Sequence, residues 1–165
     1  MKTRYVVLLV FINFILSSTL FQIFRINGAL PNFSIIITVV LASLSSKRNA
    51  FTFALLSGAI QDVFLGRMLG INFLIYGLIV YISIILIEVM FKGNFLTPIF
   101  LIGLSTIFYH FIFYIIMFFV QSTIPLNLMY VKIISEVVMN SVLGTLIYSR
   151  VFGRVHGYKL GDFNA

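Results

Sequence analysis

The sequence predicts an all-α integral membrane protein: one domain of six transmembrane helices with both termini on the cytoplasmic side. Three observations carry that reading. Of 165 residues, 61% are hydrophobic and only 9% charged, whereas a soluble domain carries about a quarter charged residues. Several apolar runs reach the roughly 17–25 residues a helix needs to cross a bilayer. Basic residues gather on alternate connections, the asymmetry that marks cytoplasmic loops. A mean hydropathy of +1.15 agrees.

The first span opens as "MKTRYVVLLVFINFILSSTLFQIF", with the basic start of a secretory signal. Its apolar run continues from residue 5 to about 24 and no small-residue cleavage site follows, so a retained helix is expected. Asn13 and Ser17 stand one turn apart with Gln22 further on, a modest polar stripe suited to bonding between helices. The break "RINGALPN" leads to a second span near 30–46, and "SSKRN" to a third near 50–65. "GRMLG" precedes a fourth near 71–91, "FKGN" a fifth near 95–120 and "QSTIPLN" a sixth near 127–150, followed by a polar tail, 151–165. Gly, Pro, Asn and Ser in these breaks supply turn chemistry. Spans two and three are short enough to require tilt or a thinner bilayer. Helical spacing rather than strict alternation fills the runs, which argues against a β-barrel.

Lys2, Arg4, Lys47, Arg48, Lys92, Arg150, Arg154 and Lys159 fall on one side of this arrangement. Arg25 and Arg67 fall on the other, with Lys132 just inside the last span. The formal charge of +7 is thereby explained by topology and by contact with anionic lipid. The loops are too short to present a nucleic-acid surface, and no soluble domain is expected. The absence of cysteine excludes disulfides, thiol catalysis and Cys-based metal sites. With only His110 and His156, a metal site is poorly supplied. There is no Gly-x-Ser-x-Gly, no His-Glu-x-x-His and no second aspartate to pair with Asp62 in the bilayer. No catalytic residue, cofactor or metal is expected, and the chain is not read as an enzyme.

Four acidic residues remain to be placed: Asp62, Glu88, Glu136 and Asp162. Asp162 belongs to the solvated tail. Glu88 precedes Lys92 by one helical turn, the favourable order for an interfacial salt bridge. Glu136 shares a face with Lys132, Asn140 and Gly144. Counted outward from the turn near Ile124, His110 stands level with it across the hairpin of spans five and six. The His110/Glu136 pair is read as glue between helices ahead of a proton relay, since a lone pair makes a poor transport path.

The stretch "GAIQDVFLGRMLGIN" is where polar residues concentrate. Ala54, Gly58 and Asp62 recur every four residues and share one helix face. The two small residues admit another backbone, so Asp62 is delivered into a helix–helix contact. Gly66 is expected to close the third helix, Gly70 to loosen the turn, Asn72 to cap the fourth helix and Arg67 to fold back on Asp62. This is a structured turn first, and a docking point for a partner second.

Pro31 and Asn32 opening an apolar run, the basic turn "SSKRNA", then "GAIQD" and "LGINFL" resemble the MreD family, the rod shape-determining membrane proteins. The family's motifs fall on Pro31 and Asn32; on Gly58, Gln61 and Asp62; and on Leu69, Gly70 and Asn72. Asn32 departs from the usual Asp: it keeps an oxygen for capping and loses the charge. The resemblance implies a non-enzymatic component of the bacterial cell-elongation machinery in the cytoplasmic membrane. Implied partners are the bitopic protein MreC, the actin-like MreB filament, and a peptidoglycan polymerase and transpeptidase. A partner's membrane helix would pack on the small-residue face while the turn from Asp62 to Arg67 meets it outside the membrane. A rival reading is the substrate-binding subunit of an energy-coupling vitamin transporter, whose general fold the family resembles. That subunit needs convergent polar groups in a pocket, for which His110, Glu136, Asn140 and Tyr114 are the candidates.

Overall fold

The computed structural model describes residues 3–19, 25, 28–65, 68–89, 96–120 and 126–156. Six α-helices account for nearly all of them: α1 (Thr3–Ser18), α2 (Phe33–Leu44), α3 (Lys47–Phe64), α4 (Ile71–Val89), α5 (Leu96–Phe119) and α6 (Leu126–His156). Each falls on one expected span. Helices α4 and α5, and Met129–Gly153 within α6, are long and apolar enough to cross a membrane; Arg4–Ser18 and Phe33–Leu44 are apolar but shorter.

The boundaries differ where capping, not hydropathy, sets them. Helix α3 begins at Lys47 because Ser46 is its N-cap, its hydroxyl accepting the Asn49 N–H at 3.4 Å. Helix α6 runs on through polar residues to His156 instead of stopping near 150. The last part expected for the first span, residues 20–24, lies outside the described residues.

Helix α2 is the hub, touching all five others. Its sequence, "FSIIITVVLASL", is apolar around most of its circumference, as a helix surrounded by others must be. Around it α1, α3, α4, α5 and α6 each touch the next, while α1 and α6 make no contact among the described residues. Ile35, Ile36 and Val39 of α2 are fully buried against Phe53 and Ala54 of α3, Ile75, Tyr76 and Val80 of α4, and Ile102 of α5. In lipid this packing acts through dispersion and close backbone approach, since exposed apolar surface is not penalised there. Close approach is visible at Gly144 of α6, where an added Cβ would collide with Ile102 of α5.

Outward faces are apolar. On α6, Tyr130, Ile134, Val138, Val142 and Leu146 form an exposed stripe every four residues, and Leu74, Leu78, Tyr81 and Ile85 form one on α4 at spacings of three or four. At the opposite end from Leu65 and Gly70, Glu88 of α4 forms an ion pair with Lys47 of α3. The expected partner, Lys92, lies outside the described residues.

Candidate functional site

Helix α4 starts with a deficiency. Gly70 holds the N-cap position, its carbonyl accepting the Leu74 N–H at 3.0 Å with φ at 93°. Glycine suits that backbone angle but has no side chain to satisfy the first free amides. Asp62 supplies the oxygens from the end of α3: Oδ1 accepts the Asn72 N–H and Oδ2 the Phe73 N–H, both at 2.9 Å. A carboxylate at a helix N-terminus also meets the favourable end of the helix dipole. Asp62 is 3% exposed.

Gly58 makes this possible. A Cβ there would lie 2.7 Å from Phe73 N and Cα, so only glycine lets α3 come close enough. Ala54 and Gly58 thus pack within the chain, and the small-residue face expected to receive a partner helix is taken by α4. Asn72 does not cap α4 as expected: the helix starts at Ile71, and the Asn72 Oδ1 accepts the Tyr109 hydroxyl at 2.8 Å. Gly66 and Arg67, expected to close α3 and to fold onto Asp62, lie outside the described residues.

Asn32 is a second junction. As N-cap of α2 it accepts the Ile35 N–H through Oδ1 at 3.3 Å, keeping the capping role expected of it. Its backbone N–H donates to Asn140 Oδ1 of α6 at 2.8 Å, and its Nδ2 to the Tyr76 hydroxyl at 3.2 Å. Pro31, just before it, is buried. Tyr76 donates to Gln61 Oε1 at 2.8 Å, and Gln61 Nε2 donates to Ser34 at 2.6 Å. Ser34 also accepts from Asn13 of α1 at 2.8 Å, and Asn140 Nδ2 donates to Thr106 of α5 at 3.0 Å. One polar network therefore reaches all six helices. Such groups in hydrocarbon need partners, and each bond fixes a relative helix position.

The same bonds set the register of α5 and α6. Tyr109 meets the start of α4, yet α5 runs on to Phe119; Asn140 meets the start of α2, yet α6 starts back at Leu126. Helix α5 therefore overhangs the start of α4 by about 15 Å and α6 that of α2 by about 21 Å, at 1.5 Å per residue. At the base of this hairpin His110 Nε2 and Glu136 Oε2 lie 2.9 Å apart, both side chains under 10% exposed. Tyr109 stacks on Tyr76 with ring centroids 5.8 Å apart and meets the His110 ring edge-on.

Under the overhang is a cavity of about 420 Å³. Asn32, Gln61 and Tyr76 contribute polar groups, His110, Lys132 and Glu136 line the side of the hairpin, and Arg25 lines it from the connection before α2. Of the pocket candidates named from the sequence, His110 and Glu136 line it. Asn140 is fully buried with Asn32 and Thr106, and Tyr114 is not among the lining residues. Tyr76 and Tyr109 went unnoticed because a tyrosine inside an apolar run carries no spacing signal. Among the described residues, no three His, Cys, Asp or Glu side chains converge as a metal would need.

A helical bundle with three helices able to span a membrane, its polar side chains turned inward to hold helix to helix, defines an integral membrane protein. The sequence model described as rod shape-determining protein MreD matches residues 1–153. The chain belongs to the MreD family, and is a rod shape-determining membrane protein. No curated protein and no solved structure matches it.

Proposed function

We propose that this chain is a non-enzymatic scaffold of the cell-elongation machinery, crossing the cytoplasmic membrane six times with both termini inside. In this reading it holds a bitopic MreC-like partner and links an MreB-like filament to the polymerase and transpeptidase that lengthen the peptidoglycan wall. Its cationic inner loops contribute contacts to anionic lipid or to the filament. No nucleic acid and no cofactor take part.

The observation that carries this reading is the turn held by Asp62. With the carboxylate buried, the described side chains displayed here are apolar: Val63, Phe64, Leu65 and Leu69 are each more than half exposed. Apolar residues next to the buried Asp62 carboxylate present contact area at a bundle end, and anchoring beside that joint lowers the cost of association. The partner's membrane-proximal segment would seat on this turn, not on the face of Ala54 and Gly58, which α4 occupies. The test is in-cell crosslinking of a tagged copy followed by mass spectrometry. Recovery of a bitopic envelope protein with wall synthases is expected; recovery of paired ATPases with a shared membrane coupling subunit would overturn the reading.

The transporter-subunit alternative draws on one observation, the cavity, whose volume falls within the roughly 300–1,000 Å³ range of ligand pockets. Family membership favours the scaffold.

A further inference from the structure

The scaffold role leaves the cavity beneath the α5/α6 overhang without a task. Among the described residues its charged lining holds two cations, Arg25 and Lys132, and one carboxylate, Glu136. Glu136 is engaged by His110 through Oε2. Lys132 lies one helical turn before Glu136, yet forms no ion pair with it or with any other carboxylate among the described residues. An ammonium without a counter-charge, beside low-dielectric walls, attracts an anion more strongly than one in open water.

The remaining lining says what carries the anion. Phe33, Leu65 and Phe113 make part of the wall apolar, while Asn32 and Gln61 offer amide groups beside it. A small inorganic anion would meet the cations and leave the apolar wall unused. An amphiphile uses both. Ser17 of α1 and Lys132 of α6 line the same cavity, and those two helices do not touch each other among the described residues. Chains leaving a headgroup therefore have a side on which no α1/α6 contact bars them.

We propose that this cavity binds the phosphate-bearing headgroup of a membrane lipid, its phosphate taken by Lys132 and Arg25 and its chains leaving between α1 and α6. The site sits at the opposite end of the bundle from the Lys47/Glu88 pair, apart from any attraction of lipid to the basic loops at that end. It does not rest on the partner reading, although Leu65 borders both surfaces.

The test uses the full chain in a neutral detergent and native mass spectrometry. Three probes are offered: dioleoyl phosphatidylglycerol, dioleoylglycerol with the same chains and no phosphate, and inorganic phosphate. One phosphatidylglycerol per chain is expected to be retained, with dioleoylglycerol lost at the same concentration and inorganic phosphate displacing the lipid only at large excess. Lys132→Gln should weaken retention about tenfold, the loss of one charge-assisted contact, and Lys132→Arg should restore most of it. Tyr81→Phe, on the outer face of α4 and away from the cavity, should leave retention unchanged. Thermal unfolding of each variant separates lost binding from lost folding. Equal retention by Lys132→Gln, equal binding of dioleoylglycerol, or displacement by inorganic phosphate at equal concentration would each overturn the proposal.

Discussion

Asp62 and Gly70 divide between them what one N-cap residue normally does. Gly70 holds the cap position of α4 with φ at 93°, and Asp62 supplies the missing acceptors from α3 to the amides of Asn72 and Phe73. The arrangement ties α3 to α4, as a local cap would not, because the accepting oxygens belong to the neighbouring helix.

Removing that carboxylate leaves two amides without acceptors in a buried joint. Asp62→Ala should cost about 2–4 kcal/mol, and Asp62→Asn, which keeps one acceptor, roughly half as much. Thermal unfolding in detergent measures both. Equal losses for the two would show that charge, not capping, dominates.

Gly58 and Asp62 act as one unit. Gly58→Ala places a Cβ 2.7 Å from the Phe73 backbone, which must move away and so leave the carboxylate behind. The single change should cost about 1–3 kcal/mol or more, and the double variant with Asp62→Ala should lose clearly less than the sum. A double-mutant cycle on unfolding temperature tests this, and strict additivity would separate the two residues.

The His110/Glu136 pair is proposed as glue between α5 and α6. Glu136→Ala alone should destabilise by about 3 kcal/mol by stranding a buried partner, while the double change His110→Phe with Glu136→Leu should recover most of that loss. Cell shape after complementation distinguishes the roles. A stable double variant that fails to restore rod shape would indicate a chemical task for the pair.

Asn32 bonds to three helices' worth of partners, so its loss should be felt beyond α2. Asn32→Ala removes the cap and the donor to Tyr76 and should cost about 1–3 kcal/mol. Asn32→Asp keeps the capping oxygen, and the Tyr76 hydroxyl can turn its proton to the carboxylate, so a loss under roughly 1 kcal/mol is expected. Unfolding of the two variants side by side checks the ordering.

Much of this architecture was legible because lipid imposes simple rules. Each apolar run contains a helix, although Ser46 begins α3 early, α6 outlasts its apolar run, and α1 ends at Ser18, short of the expected 24. The four-residue spacing of Ala54, Gly58 and Asp62 correctly turned Asp62 into a helix contact, but could not say that α4 itself is the contact. Asn72 misled because α4 starts two residues before an Asn72 cap would allow, which turns the cap into a first-turn position. The counting that levelled His110 with Glu136 worked because a hairpin fixes register locally. Arg25 and Lys132 lining one cavity had no such signal, being brought together only by the placement of α6 beside α2.

The central claim is that the turn following Asp62 receives a bitopic partner. The most direct measurement places a photocrosslinking residue at Val63 or Leu69 in growing cells, with Val142 on the outer stripe of α6 as comparison. Capture of one bitopic envelope protein from Val63 and Leu69, and its absence from Val142, is the predicted result. Capture from Val142 with none from Val63 or Leu69 would contradict the account and move the interface to the opposite face of the bundle.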